Sequence, residues 1–150
     1  MVEVSVVDYI TKTFSDVETT EAFGYTFFFY KSERKMPFAT FIGSDTEYDR
    51  ISNLNRPGVY RLNIGISKET FKSLFGTAQV DTSRYDYTAL DVIMPHPEYA
   101  QQHFVCVLSP GEATFESVRA LLAEAHDIAA RRYKRRNKEK WETDAVHPLK

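Results

Sequence analysis

Apolar side chains at Val4, Val7, Ile10 and Phe14 recur at intervals of three, three and four, which predicts an amphipathic helix over roughly residues 3–14. The period then changes. Tyr25 to Tyr30 reads YTFFFY and Phe38 to Ile42 reads FATFI, both rich in the aromatic and β-branched residues of strands. Pro37 stands at the start of the second run, where a missing N–H does little harm, and the polar KSERKM between the runs has the length of a hairpin connection. Residues 43–58, GSDTEYDRISNLNRPG, carry no apolar periodicity and are rich in turn formers. Val59 to Ile64 alternates, so Tyr60, Leu62 and Ile64 belong to the core while Arg61 and Asn63 lie on the opposite face. Ser67 is the expected cap of a short helix with Glu69 in its first turn, Phe71, Leu74 and Phe75 inward and Gly76 as its stop. A polar loop over 77–86 leads to strands near Ala89–Met94 and His103–Leu108, separated by PHPEYAQQ. Ser109-Pro110-Gly111-Glu112 fits a capping box with proline at the first helical position. Beyond it Phe115, Val118, Leu122, Ala125 and Ala129, widened by Leu121 and Ile128, mark one face of a helix that should run to about Arg132 or slightly beyond.

This order predicts an α+β fold: a single antiparallel β-sheet of about five strands, with N-terminal and C-terminal helices packed on one face. Residues 1–136 read as one domain and 137–150 as a basic C-terminal tail that can be disordered. A chain of 150 residues is long enough for one such core without a metal or disulfide to hold it. Its single cysteine excludes an internal disulfide framework and any multi-cysteine zinc site. No apolar run approaches the 18 residues of a membrane span, and the opening MVEVSVVDYI lacks the basic start of a signal peptide. The expectation is a cytoplasmic protein with no membrane partner, a monomer or weak dimer. Six glycines and no strand–glycine-rich turn–helix unit argue against a doubly wound nucleotide-binding fold.

The blocks PFATFIGSDTEYDRISNLNRPGVYRLNIGIS (Pro37 to Ser67) and MPHPEYAQQHFVCVLSP (Met94 to Pro110) resemble an uncharacterised bacterial family, a domain of unknown function, over most of residues 4–132. More distantly the layout resembles the YjbR/MmcQ-like superfamily, in which an early helix leads into a strand hairpin and a late strand into a terminal helix. That resemblance implies a frataxin-like (CyaY-like) fold and raises DNA binding as an activity. A shared fold does not carry a site, so the residues must supply the chemistry.

They exclude more than they assign. His103 and Cys106 are the one close His/Cys pair, and on a strand residues three apart face opposite sides. Cys106, inside FVCVL, reads as a small buried hydrophobe. Asp45, Glu47 and Asp49 open like a calcium loop, but Arg50 and Arg56 stand where glycine and glutamate are needed. No metal and no cofactor is expected. There is no G-x-S-x-G elbow, Walker loop or G-x-G-x-x-G, so no catalytic residue can be named; a Cys–His pairing through His96 or His126 has no support in the local sequence.

The polar block on the way into the Val59 strand gathers Asp45, Tyr48, Asp49, Asn53, Asn55, Arg56 and Arg61, and His96 lies between two prolines in a second irregular loop. Arginine forks suit carboxylate or phosphate, and an ordinary histidine titrates near neutral pH. Asp45, Tyr48, Asp49, Asn53, Arg56, Arg61 and His96 are the ligand-binding candidates. The competing account makes them structural, with Asp49 paired to Arg56 or Arg61 and the asparagines holding the loop. Toward the C-terminus, Arg131, Arg132, Lys134, Arg135 and Arg136 are the nucleic-acid candidates. Residues 131–150 carry net +5 and the preceding 130 residues net -7, so nucleic acid is the less favoured partner. Phe27, Phe28 and Phe29 cannot all face one side of a sheet, which implies either cover on both faces or an open binding face. The leading expectation is a non-catalytic binding or interaction module for nucleic acid, protein or a small polar ligand. The alternative is an enzyme acting on a small polar or phosphorylated substrate through the Asp45–Arg61 loop and His96.

Overall fold

The computed structural model describes the backbone of residues 3–146 and the side chains of residues 6–138. The fold is α+β, one antiparallel sheet of six strands with three α-helices. Helix α1 (Glu3–Thr13) is followed by β1 (Val17–Ala22), β2 (Tyr25–Tyr30), β3 (Ala39–Ile42) and β4 (Arg61–Gly65). Helix α2 (Lys68–Phe75), β5 (Met94–Pro95), β6 (Phe104–Leu108) and α3 (Glu112–Val146) complete the chain, and the spatial strand order is β1-β2-β3-β4-β6-β5.

The alternation read from Val59–Ile64 divides the two faces. Leu62 and Ile64 join Phe28, Ala39, Phe41, Val105 and Val107 beneath α1 and α3, which contribute Val6, Ile10, Phe115, Val118, Leu122 and Ala125. Among the described residues no α-helix lies over the opposite face. A smaller apolar cluster of Ile42, Leu54, Val59, Tyr87, Met94, Cys106 and Leu108 lies there under the long loops. Strand pairing sets its side chains in two rows. Tyr25, Ile42, Arg61 and Leu108 form one, and Phe27, Thr40, Asn63, Cys106 and Met94 form the next.

Several elements differ from expectation. Strand β1, VETTEA, is an added sixth strand whose side chains are mostly exposed. It has no alternation because it is an edge, and its glutamates discourage further pairing. The strand near Ala89–Met94 shrinks to Met94–Pro95, because 89–93 crosses as irregular chain with Asp91 in the left-handed region at φ 64°. His103 sits outside β6, also left-handed at φ 65°. The capping box does not form. Ser109 instead holds β4 to β6, its Oγ accepting from Tyr60 N at 3.2 Å and donating to Gly58 O at 3.2 Å. The start of α3 is capped from 20 residues upstream, where Asp91 Oδ1 accepts from Gly111 N at 2.7 Å. Helix α3 continues past Arg132 to Val146. Helix α2 keeps its expected ends, Ser67 accepting from Thr70 N and Gly76 at φ 78°, but Leu74 is exposed instead of inward.

Candidate functional site

On the helix-free face, the sheet and three loops enclose a concavity of about 440 Å³. Its floor is the two rows of the sheet: Tyr25 and Arg61 from one, Phe27, Thr40 and Asn63 from the other, with Phe104 at the start of β6. Gly65, paired with Phe104, makes room for that ring, since a Cβ there would lie 2.8 Å from it. The loop between β3 and β4 adds Tyr48, Asp49 and Ile51, the hairpin tip adds Phe23, and the segment after β5 adds His96, Pro97 and Tyr99. Phe23, Met36, Tyr48, Ile51 and Tyr99 are exposed apolar side chains, and all five line this one mouth.

Arg61 is the centre of the floor. Its side chain is 1% exposed, yet four of its N–H donors have protein acceptors. Nη1 donates to Asp49 Oδ1 at 3.2 Å and Ser52 Oγ at 3.0 Å, Nη2 to Asp49 Oδ2 at 2.5 Å, and Nε to Asn63 Oδ1 at 3.2 Å. Tyr25 also donates its hydroxyl to Asp49. Burial would raise the Asp49 carboxyl, but the hydrogen bonds from Arg61 and Tyr25 outweigh it and hold the group below its ordinary range. Burial likewise opposes the charge on Arg61, and Asp49 restores it. The Tyr25 hydroxyl is pushed upward by burial and then by its bond to Asp49. The pair is therefore ionised and internally neutral.

His96 is buried at the cavity wall. Its Nδ1 accepts from the backbone N–H groups of Glu98 and Tyr99, each at 3.0 Å, so the neutral ring carries its proton on Nε2. Burial and then the charge of Arg61 lower its pKa from 6.5 to about 4, which corrects the expectation of titration near neutral pH. Cys106 lies directly opposite Asn63 in the sheet, fully buried, and burial pushes its thiol up to about 12. A thiol so held is no nucleophile.

The loop candidates divide in two. Tyr48, Asp49, Arg61 and His96 line the cavity together. Asp45, Asn53 and Arg56 do not. Asp45 accepts from Leu54 N at 2.8 Å and donates its own N–H to Asn55 Oδ1 at 3.1 Å, closing the loop on itself. Arg56 binds the carbonyls of Ser52, Asn53 and Thr88, and Asn53 takes a left-handed turn at φ 49°. Of the two ion pairs weighed for Asp49, the one with Arg61 forms. Tyr25, Phe27, Thr40, Asn63 and Phe104 are the floor residues that the loop reading missed. The parity of Arg61 within its strand was the available signal, and only the pairing register turns it into a list of neighbours. The basic candidates lie on exposed α3, Arg131 bonded to Asp127 at 2.7 Å and Arg136 to Glu33. Among the described residues no group of three or more His, Cys, Asp or Glu could hold a metal ion, and no helix is long and apolar enough to cross a membrane.

Among known proteins, a family model described as "Family of unknown function (DUF6194)" matches residues 1–138. No curated protein and no solved structure matches the chain.

Proposed function

The chain belongs to the DUF6194 family of unknown function, and we propose that it is a non-catalytic binding protein for a small, flat, largely apolar molecule carrying a carbonyl-type acceptor. The observation that carries this reading is a concavity with aromatic walls whose polar floor offers mainly donors. His96 Nε2–H, the second N–H of Asn63 Nδ2, the Thr40 hydroxyl and the remaining N–H of Arg61 have no acceptor among the described residues, whereas Nδ1 of His96 and both Asp49 oxygens are already taken. Apolar walls with a few convergent polar groups are the general character of small-molecule sites. A phosphorylated ligand fits poorly, because Arg61 is already neutralised by Asp49 and Glu98 stands at the rim.

The enzyme alternative at this site has less support. His96 is neutral with a low pKa, Asp49 is committed to Arg61, and Cys106 is a buried thiol, which leaves no nucleophile or near-neutral acid–base group. A place in the YjbR/MmcQ-like superfamily is a further part of the proposal, supported by the early helix, the strand hairpin and the late strand entering a terminal helix.

Ligand-observed NMR with a panel of aromatic amides and ketones, each paired with its analogue lacking the carbonyl, tests the reading. Carbonyl-bearing members should bind about tenfold more tightly than their partners. Binding should weaken in Tyr48→Ala, where an exposed wall is removed without touching the core. A panel that gives no binder, or binding indifferent to both the carbonyl and Tyr48, rejects it.

A further inference from the structure

We propose a second site, independent of the aromatic cavity: the cleft between the start of α2 and the basic side of α3 binds a compact anion bearing two or more phosphoryl groups. This concavity of about 520 Å³ is lined by Lys68 from α2, Gln102 and His103 from the turn before β6, and Arg131, Arg132 and Arg135 from α3. Four cationic side chains meet there, and among the described residues no carboxylate lines it. The described acids on neighbouring turns of α3 already have partners at the edge of the cleft. Glu124 accepts from Ser67 N at 3.0 Å and Thr70 Oγ1 at 2.6 Å, and Asp127 holds Arg131.

The pairing pattern sets this cluster apart. Among the described residues, every other arginine has an ion pair or a hydrogen bond, from Arg34 with Glu18 to Arg136 with Glu33. Arg132 and Arg135 have neither, and Lys68 across the cleft has no partner either. Like charges gathered in one concavity repel, so the arrangement is stabilised when an anion enters. The Arg131–Asp127 pair is an exposed i,i+4 contact worth little, and a phosphate can displace it. Guanidinium forks match phosphoryl oxygens, and several of them converging suit more than one such group. Helix α3 holds Arg131 and Arg135 one turn apart on one side, while Gln102 and His103 line the cleft beside them. A long polyanion is the lesser fit, because residues 1–130 carry net -7 and would repel strands extending beyond the cleft.

Calorimetric titration of the full chain with inorganic pyrophosphate tests this, with inorganic phosphate and a short DNA duplex as comparators. Pyrophosphate should bind saturably, more tightly than phosphate and less tightly as salt rises. Affinity should fall at least tenfold in the double variant Arg132→Gln/Arg135→Gln and also in Lys68→Gln, which reads the opposite wall. These side chains are exposed, so circular dichroism should be unchanged, and Tyr48→Ala should leave pyrophosphate affinity intact. Absence of saturable binding overturns the proposal. So does equal affinity in the variants, or duplex binding through these arginines that pyrophosphate does not displace.

Discussion

Arg61 shows how a charge is kept inside a small sheet. A guanidinium on a strand flanked by core positions would ordinarily face water, but here it is covered by the returning β3–β4 loop and ionised because that loop delivers Asp49. The cost of desolvation is offset only while the pair and its hydrogen bonds to Ser52 and Asn63 are complete. Arg61→Ala should therefore destabilise the protein by about 3 kcal/mol, since it strands a half-buried carboxylate with Tyr25 as its remaining donor. Replacing Asp49 and Arg61 together by leucine should cost less than the sum of the single changes, a coupling that urea denaturation of the four proteins reads directly.

At the level of elements, the β1–β2 hairpin joins the fold to the cavity. Ala22 pairs with Tyr25, so the turn is two residues long, and Phe23 and Gly24 both have positive φ, at 56° and 84°. Gly24 is required twice over, because a Cβ there would also lie 2.5 Å from the Thr46 side chain. Phe23 is an unfavourable residue for its position, as hairpin turns of this length favour asparagine or aspartate there. It is 79% exposed and forms part of the cavity mouth, which gives the strain a use. Phe23→Asn should raise thermal stability by about 1 kcal/mol while weakening the binding of aromatic amides. If both stability and binding drop, the turn has another role.

The molecule as a whole should be sensitive to acid. His96 accepts a proton less readily folded than unfolded, with a pKa near 4 against an ordinary 6.5. Between those values unfolding takes up a proton, so stability is complete above pH 6.5 and is lost as pH falls toward 4, by about 3 kcal/mol. Asp49, held below its ordinary value of 3.8, adds a further loss at lower pH. His96→Asn keeps a side-chain acceptor for the backbone of Glu98 and Tyr99 and removes the titration. Urea midpoints at pH 7 and 4.5 should lie closer together in this variant than in the parent; an unchanged gap would place the acid lability elsewhere.

The legible part of this protein is what repeats over a few residues. The face of α3 from Phe115 to Ala129, the Ser67 and Gly76 ends of α2 and the inward parity of Leu62 and Ile64 follow from local period and local capping, and the chain carries them wherever it folds. Strand β1 escapes that reading because an exposed edge has no apolar period, and the cap of α3 escapes it because Asp91 reaches Gly111 across the fold. The candidate site divides along the same line. Asp49, Arg61 and His96 stand out as polar residues in irregular chain, but Tyr25, Phe27 and Thr40 become their neighbours through cross-strand register. Which residues alternate is a property of each strand; which strands meet, and in what register, depends on burying all their inward faces at once.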